Sequence, residues 1–291
     1  MFVIKIVKYF LQAVFIYLFF IIIKLIGLKL SRKFFSIIFN KIGPRIKSEL
    51  IINNNLEKFL GAYNENLKSK IKREMWANYG KTFSEYVYLK KFKNKSSHIE
   101  IKGEQILNKI QKNKKPVIFV SGHFANFELM SMELSKKNIN LATIYRPLNN
   151  FFLNPLMEFF RKKYICQNQI KKGLIGVKES INYIKNNFSI ALMVDQRVSE
   201  GKKIPFFGHM ALTTTLPAQM ALKFKLDIVP IYISRKANDN FVMEIFEPIK
   251  ISNNDNVETS KLNVSIKLNK IIEEMISREP GQWIWTHNRW K

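Results

Sequence analysis

A histidine and a carboxylate five positions apart, His123 and Glu128, follow the apolar run 116–120 in the stretch Val120-Ser121-Gly122-His123-Phe124-Ala125-Asn126-Phe127-Glu128. A carboxylate bonded to one imidazole nitrogen fixes the tautomer and raises the basicity of the other nitrogen. A histidine oriented in that way removes the proton from a hydroxyl, the working pair of hydroxyl-activating enzymes. On a regular helix a five-residue step separates two side chains by about 140°. The pair therefore meets only if His123 lies in a turn and Glu128 sits on the first turns of a helix. The carboxyl ends of strands are where α/β sheets place their sites, which suits a turn after an apolar strand. Taken alone, the spacing reads equally as a capped helix start.

Other groups recur at strand ends. Asp195-Gln196 follows the apolar run 189–194, where a buried-edge carboxylate holds an arginine or a substrate hydroxyl, or caps a turn. Arg146 precedes Pro147, which forces the chain extended there, and reads as site architecture or anion binding. Phe206-Phe207-Gly208 has the character of a segment that lines or closes an apolar pocket. Other chemistries find no footing. Ser121 lies in Val-Ser-Gly-His rather than Gly-x-Ser-x-Gly, and neither a dinucleotide fingerprint nor a P-loop pattern occurs. Four scattered His and a single Cys leave no zinc-ligand cluster and no disulfide framework.

The elements that must carry these residues alternate. β-rich runs at 116–120, 141–145 and 190–194 are interleaved with helical patterns starting near 126 and spanning 153–163, 174–187 and 213–226. Runs at 228–234 and 241–246 read as paired strands. Such alternation predicts an α/β domain with a mostly parallel central sheet flanked by helices. Its boundaries fall at 98–291, behind a basic helical region over 31–97 and an N-terminal anchor over 1–30. The anchor rests on residues 9–28, apolar except for Gln12 and Lys24, which is about the twenty residues needed to cross a bilayer core. Lysines flank it on both sides, and no small-x-small cleavage site follows, so it reads as uncleaved, either spanning or lying in the interface.

The chain has 291 residues, 47% hydrophobic with 24 Phe, enough for a sizeable core and incompatible with disorder. Its net charge of +26, from 48 Lys+Arg against 22 Asp+Glu, points to acidic partners or to a Lys-, Asn- and Ile-rich codon usage. Nucleic acid would account for the charge but not for the hydrophobic start or the ordered motifs.

Read in order, the His-x4-Glu segment, Tyr145-Arg146-Pro147, Asp195-Gln196, Pro205-Phe206-Phe207-Gly208 and the ending Pro280-Gly281-Gln282-Trp283-Ile284-Trp285-Thr286-His287-Asn288-Arg289 resemble one family. It is the bacterial lipid A late acyltransferases, the lauroyl/myristoyl transferases acting on Kdo-lipid IVA, and the resemblance runs over essentially the whole chain. It implies a glycerolipid-acyltransferase-like fold and acyl transfer from acyl carrier protein to a hydroxyl of a Kdo-lipid IVA type acceptor. That reaction belongs to the bacterial inner membrane, with the catalytic domain on the cytoplasmic face, and needs no metal or cofactor. His123 would be the general base and Glu128 its orienting partner. Arg161, fifteen residues after Arg146, would be the catalytic arginine, and Asp195 would support catalysis. Arg146 and Gln196 would bind substrate, Phe206, Phe207 and Gly208 would suit an acyl-chain groove, and the C-terminal tryptophans would pack against the site. The remaining alternatives are an acyltransferase acting on another glycolipid or a lysophospholipid, and a non-catalytic basic membrane-surface protein.

Overall fold

A computed structural model describes residues 2–61, 64–251 and 256–291. The N-terminal third is helical: α1 (Phe2–Ile26), α2 (Leu28–Ile46), α3 (Glu49–Leu60), α4 (Glu65–Glu85) and the short α5 (Leu89–Asn94). The sheet begins at β1 (Ile99–Lys102). After it come α6 (Glu104–Asn113), β2 (Ile118–Ser121), α7 (Glu128–Lys136), β3 (Leu141–Tyr145), α8 (Asn154–Phe160) and β4 (Asn168–Lys171). Then follow α9 (Leu174–Lys185), β5 (Ser189–Met193), β6 (Lys202–Phe206), β7 (His209–Thr213), α10 (Leu216–Phe224), β8 (Ile228–Arg235), β9 (Phe241–Ile245) and α11 (Val257–Arg278).

Seven strands form one sheet in the order β1-β9-β8-β2-β5-β3-β4, while β6 and β7 pair separately as an antiparallel hairpin. Every neighbouring pair in the large sheet is parallel except β8 with β9. The central strands are apolar on both faces because helices cover both sides. Alternate residues serve opposite cores: Ile118, Val120, Ile190 and Leu192 pack in one cluster, Phe119 and Ala191 in the other. The first cluster also takes Ile52, Leu56, Ile71, Met75 and Trp76, so α3 and α4 share a core with the sheet.

Two expectations are corrected here. The helix predicted over 213–226 begins only at Leu216, because residues 209–213 form β7 against β6. The two-residue turn between them, Phe207-Gly208, has φ of 50° and 73°, both positive as the turn that matches hairpin twist requires. Phe206, Phe207 and Gly208 therefore close a hairpin. The edge strands β1 and β4, each four residues long, are too short to have shown a period of their own in the sequence.

Helices α2 and α4 cross closely at Gly80, where a side-chain carbon would collide with the backbone carbonyl of Phe35. Backbone does not yield as a flexible side chain does. Gly80→Ala should accordingly destabilise the protein by about 1–3 kcal/mol, read as a lowered midpoint in chemical denaturation. The exposed Gly61→Ala, with open space around it but φ of 75°, should cost less.

Candidate active site

The register of β2 on β5 sets the site. Ser121 pairs with Met193 across these parallel strands, so the residues two further along each chain, His123 and Asp195, leave the sheet side by side. Gly122 permits the approach, since a Cβ there would press on the Phe124 ring and the Asp195 Cβ. The His123 backbone N–H donates to Asp195 Oδ2 (2.9 Å), and the imidazole Nδ1 lies 2.8 Å from Oδ1. Trp283 Nε1 donates to Oδ2 from the C-terminal segment at 2.8 Å.

Asp195 is 1% exposed. Burial pushes its pKa up, but the neighbouring His123 charge, the two bonds from His123 and the Trp283 bond outweigh this and hold it down at about 2. An ionised Asp195 makes Nδ1 the protonated nitrogen and leaves Nε2 as the lone-pair base. The ring is packed edge-on against Phe127 (4.7 Å between centroids) and lines a cavity.

The turn bearing His123 is clamped from two directions. Ala125, at φ 44°, donates its N–H to the Gln282 carbonyl (2.9 Å), and its carbonyl accepts from Thr82 (3.1 Å) and Asn78. Phe124 beneath it is fully buried against Tyr232. A non-glycine residue in left-handed conformation stays there only when its surroundings over-determine it.

Glu128 is the first residue of α7, and it is not the partner of His123. Its Oε1 accepts from Arg161 Nη2 (2.6 Å), Arg161 Nε (2.9 Å) and the Tyr86 hydroxyl (2.6 Å). The direct His123–Glu128 bond expected from the spacing is replaced because the parallel strand already delivers Asp195, while α7 turns Glu128 toward Arg161. Burial, then the Glu128 charge, raises the Tyr86 pKa well above its usual value, so the hydroxyl remains a donor. Burial works to lower the Arg161 pKa, yet the Glu128 charge, Tyr86 and their bonds raise it overall. The guanidinium also stacks over the Tyr145 ring at 5.4 Å.

These groups share a cavity of about 190 Å³. His123, Glu128 and Arg161 supply its polar wall, and Phe127, Met130, Ile144, Leu192 and Leu216 its apolar one. Arg146, Lys172 and Gln196 also line it, with both cations exposed. Burial, then the Arg146 charge, lowers the Lys172 pKa. The arrangement joins an imidazole oriented by a carboxylate, a fixed guanidinium and further cations around an apolar hollow, which suits proton removal from a hydroxyl beside an anionic group.

Of the residues singled out from sequence, His123, Glu128, Arg161, Arg146 and Gln196 line this cavity, and Asp195 lies directly behind His123. Phe206, Phe207 and Gly208 do not. Phe206 is buried against Trp283 and Trp290, Phe207 meets Phe59, and its N–H donates to Glu273 (2.7 Å). An aromatic pair before glycine meant a tight hairpin rather than an acyl-chain wall. Tyr86 and Lys172 were missed, since neither stands in a motif. Trp283 read as packing, and it both packs and donates. His287, four residues beyond Trp283, accepts the Arg197 N–H at 2.9 Å and so fixes the loop after Asp195. Burial pushes its pKa down to about 4.

The family model described as bacterial lipid A biosynthesis acyltransferase matches residues 3–291. The chain is similar to the lipid A biosynthesis lauroyltransferase of Escherichia coli (strain K12), 24% identical over 196 residues. It is also similar to the lipid A biosynthesis palmitoleoyltransferase of that organism and to a lipid A biosynthesis acyltransferase of Shigella flexneri, each 25% identical over 198 residues. Each match takes in 66% of this chain and spans 61% of the relative's length.

The low pKa of Asp195 carries a stability consequence. Its folded value, about 2, lies below the ordinary 3.8, so its contribution is complete above pH 4 and is lost as pH falls through 2. The amount is on the order of 2 kcal/mol at about 1.4 kcal/mol per unit. In Asp195→Asn that part of the acid dependence should vanish, which denaturation curves taken between pH 2 and pH 6 on both proteins would measure.

Proposed function

Because the chain belongs to the bacterial lipid A biosynthesis acyltransferase family, we propose that it is a membrane-bound O-acyltransferase. It moves a fatty acyl chain from acyl carrier protein to a free hydroxyl of a Kdo-lipid IVA type precursor, on the cytoplasmic side of the inner membrane. The observation that carries this reading is the Trp283–Asp195–His123 chain opening on a cavity that also holds Arg161.

On this reading His123 Nε2 takes the proton of the acceptor hydroxyl as its oxygen attacks the thioester carbonyl. The new C–O bond forms, the tetrahedral oxyanion collapses, the C–S bond breaks, and the imidazolium returns its proton to the departing thiolate. Asp195 stabilises the imidazolium without taking its proton. Arg161 has two of its donor groups tied to Glu128, and its Nη1 makes no hydrogen bond among the described residues. That nitrogen is the donor for the oxyanion or for an acceptor phosphate. Arg146 and Lys172 extend the positive charge outward, suiting an acceptor with phosphates and acidic sugars. The net charge of +26 speeds encounter with an acidic carrier protein and favours an anionic leaflet, both effects falling with salt.

With carrier-bound acyl chains and Kdo-lipid IVA, the purified protein should add acyl mass to the acceptor, and no added mass would refute the proposal. His123→Ala should lower turnover by about 10²–10⁴-fold. Asp195→Ala should be comparably severe, and the double variant only slightly worse than the weaker single one, because the two act as a unit. Glu128→Gln keeps an acceptor for Arg161 but removes the charge that fixes it. Its loss should appear with the same severity in His123→Ala and wild-type backgrounds, adding in log rate, whereas a true orienter of His123 would show no further loss.

A further inference from the structure

Helix α1 segregates its residues around its axis in a way that a simple crossing does not require. At 100° per residue, the half turned toward the rest of the protein carries the buried or half-buried Ile6, Tyr9, Ala13, Ile16, Phe20 and Ile23. The polar side chains of the segment, Lys5, Lys8, Gln12 and Lys24, fall in or at the edges of that same half. The opposite half, including Ile4, Val7, Leu11, Leu18, Ile22 and Leu25, is apolar throughout and exposed.

The contacts run nearly the full helix. Asn150 donates to the Tyr9 carbonyl (2.8 Å), and the Tyr17 hydroxyl donates to the Phe152 carbonyl (3.0 Å). Phe20 stacks on Phe160, next in sequence to Arg161, and the Tyr88 hydroxyl donates to the Ile23 carbonyl (2.8 Å). From Tyr9 to Ile23 that is about 21 Å of helix held against the domain, some two-thirds of the roughly 30 Å of a hydrocarbon core. Were α1 to cross the bilayer, Asn149, Asn150 and the backbone of the loop that meets it at Tyr9 and Tyr17 would have to lie at the depth of the acyl chains. Laid in the membrane plane, α1 meets no such conflict. Its apolar half faces the acyl chains and its lysines stand at headgroup level beside the domain.

We propose that α1 is an in-plane helix that seats the domain on one leaflet of an anionic bilayer, with the cavity mouth at the level of the headgroups. The proposal rests on the membrane-bound reading above and adds its geometry. Further features agree with it. Leu148 and Phe151, exposed on the segment that leaves Arg146 toward α1, and Leu30, Phe34 and Ile37, spaced along one side of α2, continue the exposed apolar surface. Lys29, Lys33 and Lys41 on α2 are exposed as well. An acceptor whose acyl chains stay in the leaflet then reaches Arg146 and His123 by lateral diffusion, without leaving the lipid.

Two measurements on the full chain test this. Nitroxides on Leu11→Cys, Leu18→Cys and Leu25→Cys, bound to vesicles of phosphatidylethanolamine and phosphatidylglycerol, should report one common depth from oxygen and nickel-chelate collision rates. A crossing helix would separate successive labels by about 10 Å. In inverted inner-membrane vesicles, Lys5→Cys and Lys47→Cys should both react with an impermeant maleimide, with the buried Cys166 of the parent protein as background. Graded depths, or a Lys5→Cys that reacts only after the vesicles are opened, would overturn the in-plane arrangement and leave the enzyme reading intact. A protein that binds no vesicles at low salt, yet acylates a detergent-dispersed acceptor, would overturn the membrane seat alone.

Discussion

Two parallel strands held in one hydrogen-bonded register do most to determine what this protein is able to do. Because Ser121 lies opposite Met193, His123 and Asp195 emerge from β2 and β5 as neighbours, and no side-chain search is needed to bring base and carboxylate together. A slip of one residue between these strands would put the two side chains on opposite faces of the sheet. The register is protected by burial: all of β2 and nearly all of β5 are covered on both faces, so every alternative pairing exposes apolar surface. The geometry of the candidate site thus inherits the stability of the core rather than that of a loop.

A second buried charge ties the N-terminal helices to the same place. Glu85, with no exposed surface, accepts from Arg32 of α2 (2.7 Å), from both terminal nitrogens of Arg235 of β8, and from Asn126 in the His123 turn (2.9 Å). Removing one partner of such a cluster typically costs about 3–5 kcal/mol because a buried charge is left unmatched. Arg235 also reaches Asn78 and Thr82, and its backbone exchanges two bonds with the Gln282 side chain. Gln282 in turn holds Ala125 through its carbonyl. Helix α2, strand β8, the C-terminal segment and the histidine turn are therefore locked to one another through one carboxylate.

The order of chemistry along the chain was legible because strand ends announce themselves: an apolar run, then a small or polar residue, then a charged one. His123 follows that pattern, while Asp195 and Arg146 come straight after their apolar runs. What the chain could not reveal was which carboxylate serves which cation. Sequence spacing favoured Glu128 for His123, five residues away, over Asp195, seventy-two away, yet sheet pairing makes the distant residue the nearer one. Tyr86 was invisible for the same reason, since it reaches Glu128 from the end of a helix forty-two residues earlier. The short edge strands and the hairpin carried too few residues to display a period. The aromatic character of Phe206-Phe207 spoke of burial without saying in which core.

The outcome is a division of labour between two carboxylates of similar burial. Asp195 accepts from a backbone amide, an imidazole and an indole, and in the proposed reaction its charge would face the imidazolium that forms on proton removal. Glu128 instead spends its charge on Arg161 in the ground state and holds that guanidinium against the Tyr145 ring. Were Glu128 shared with His123, Arg161 would lose its fixed position just as the imidazole gained charge, and two cations would compete for one anion. Keeping them apart lets positive charge develop at His123 in the proposed reaction while a pre-set positive charge waits for the oxyanion. Different environments thus give two acidic residues different work, which is the general route by which one site runs both halves of a proton-transfer reaction near neutral pH.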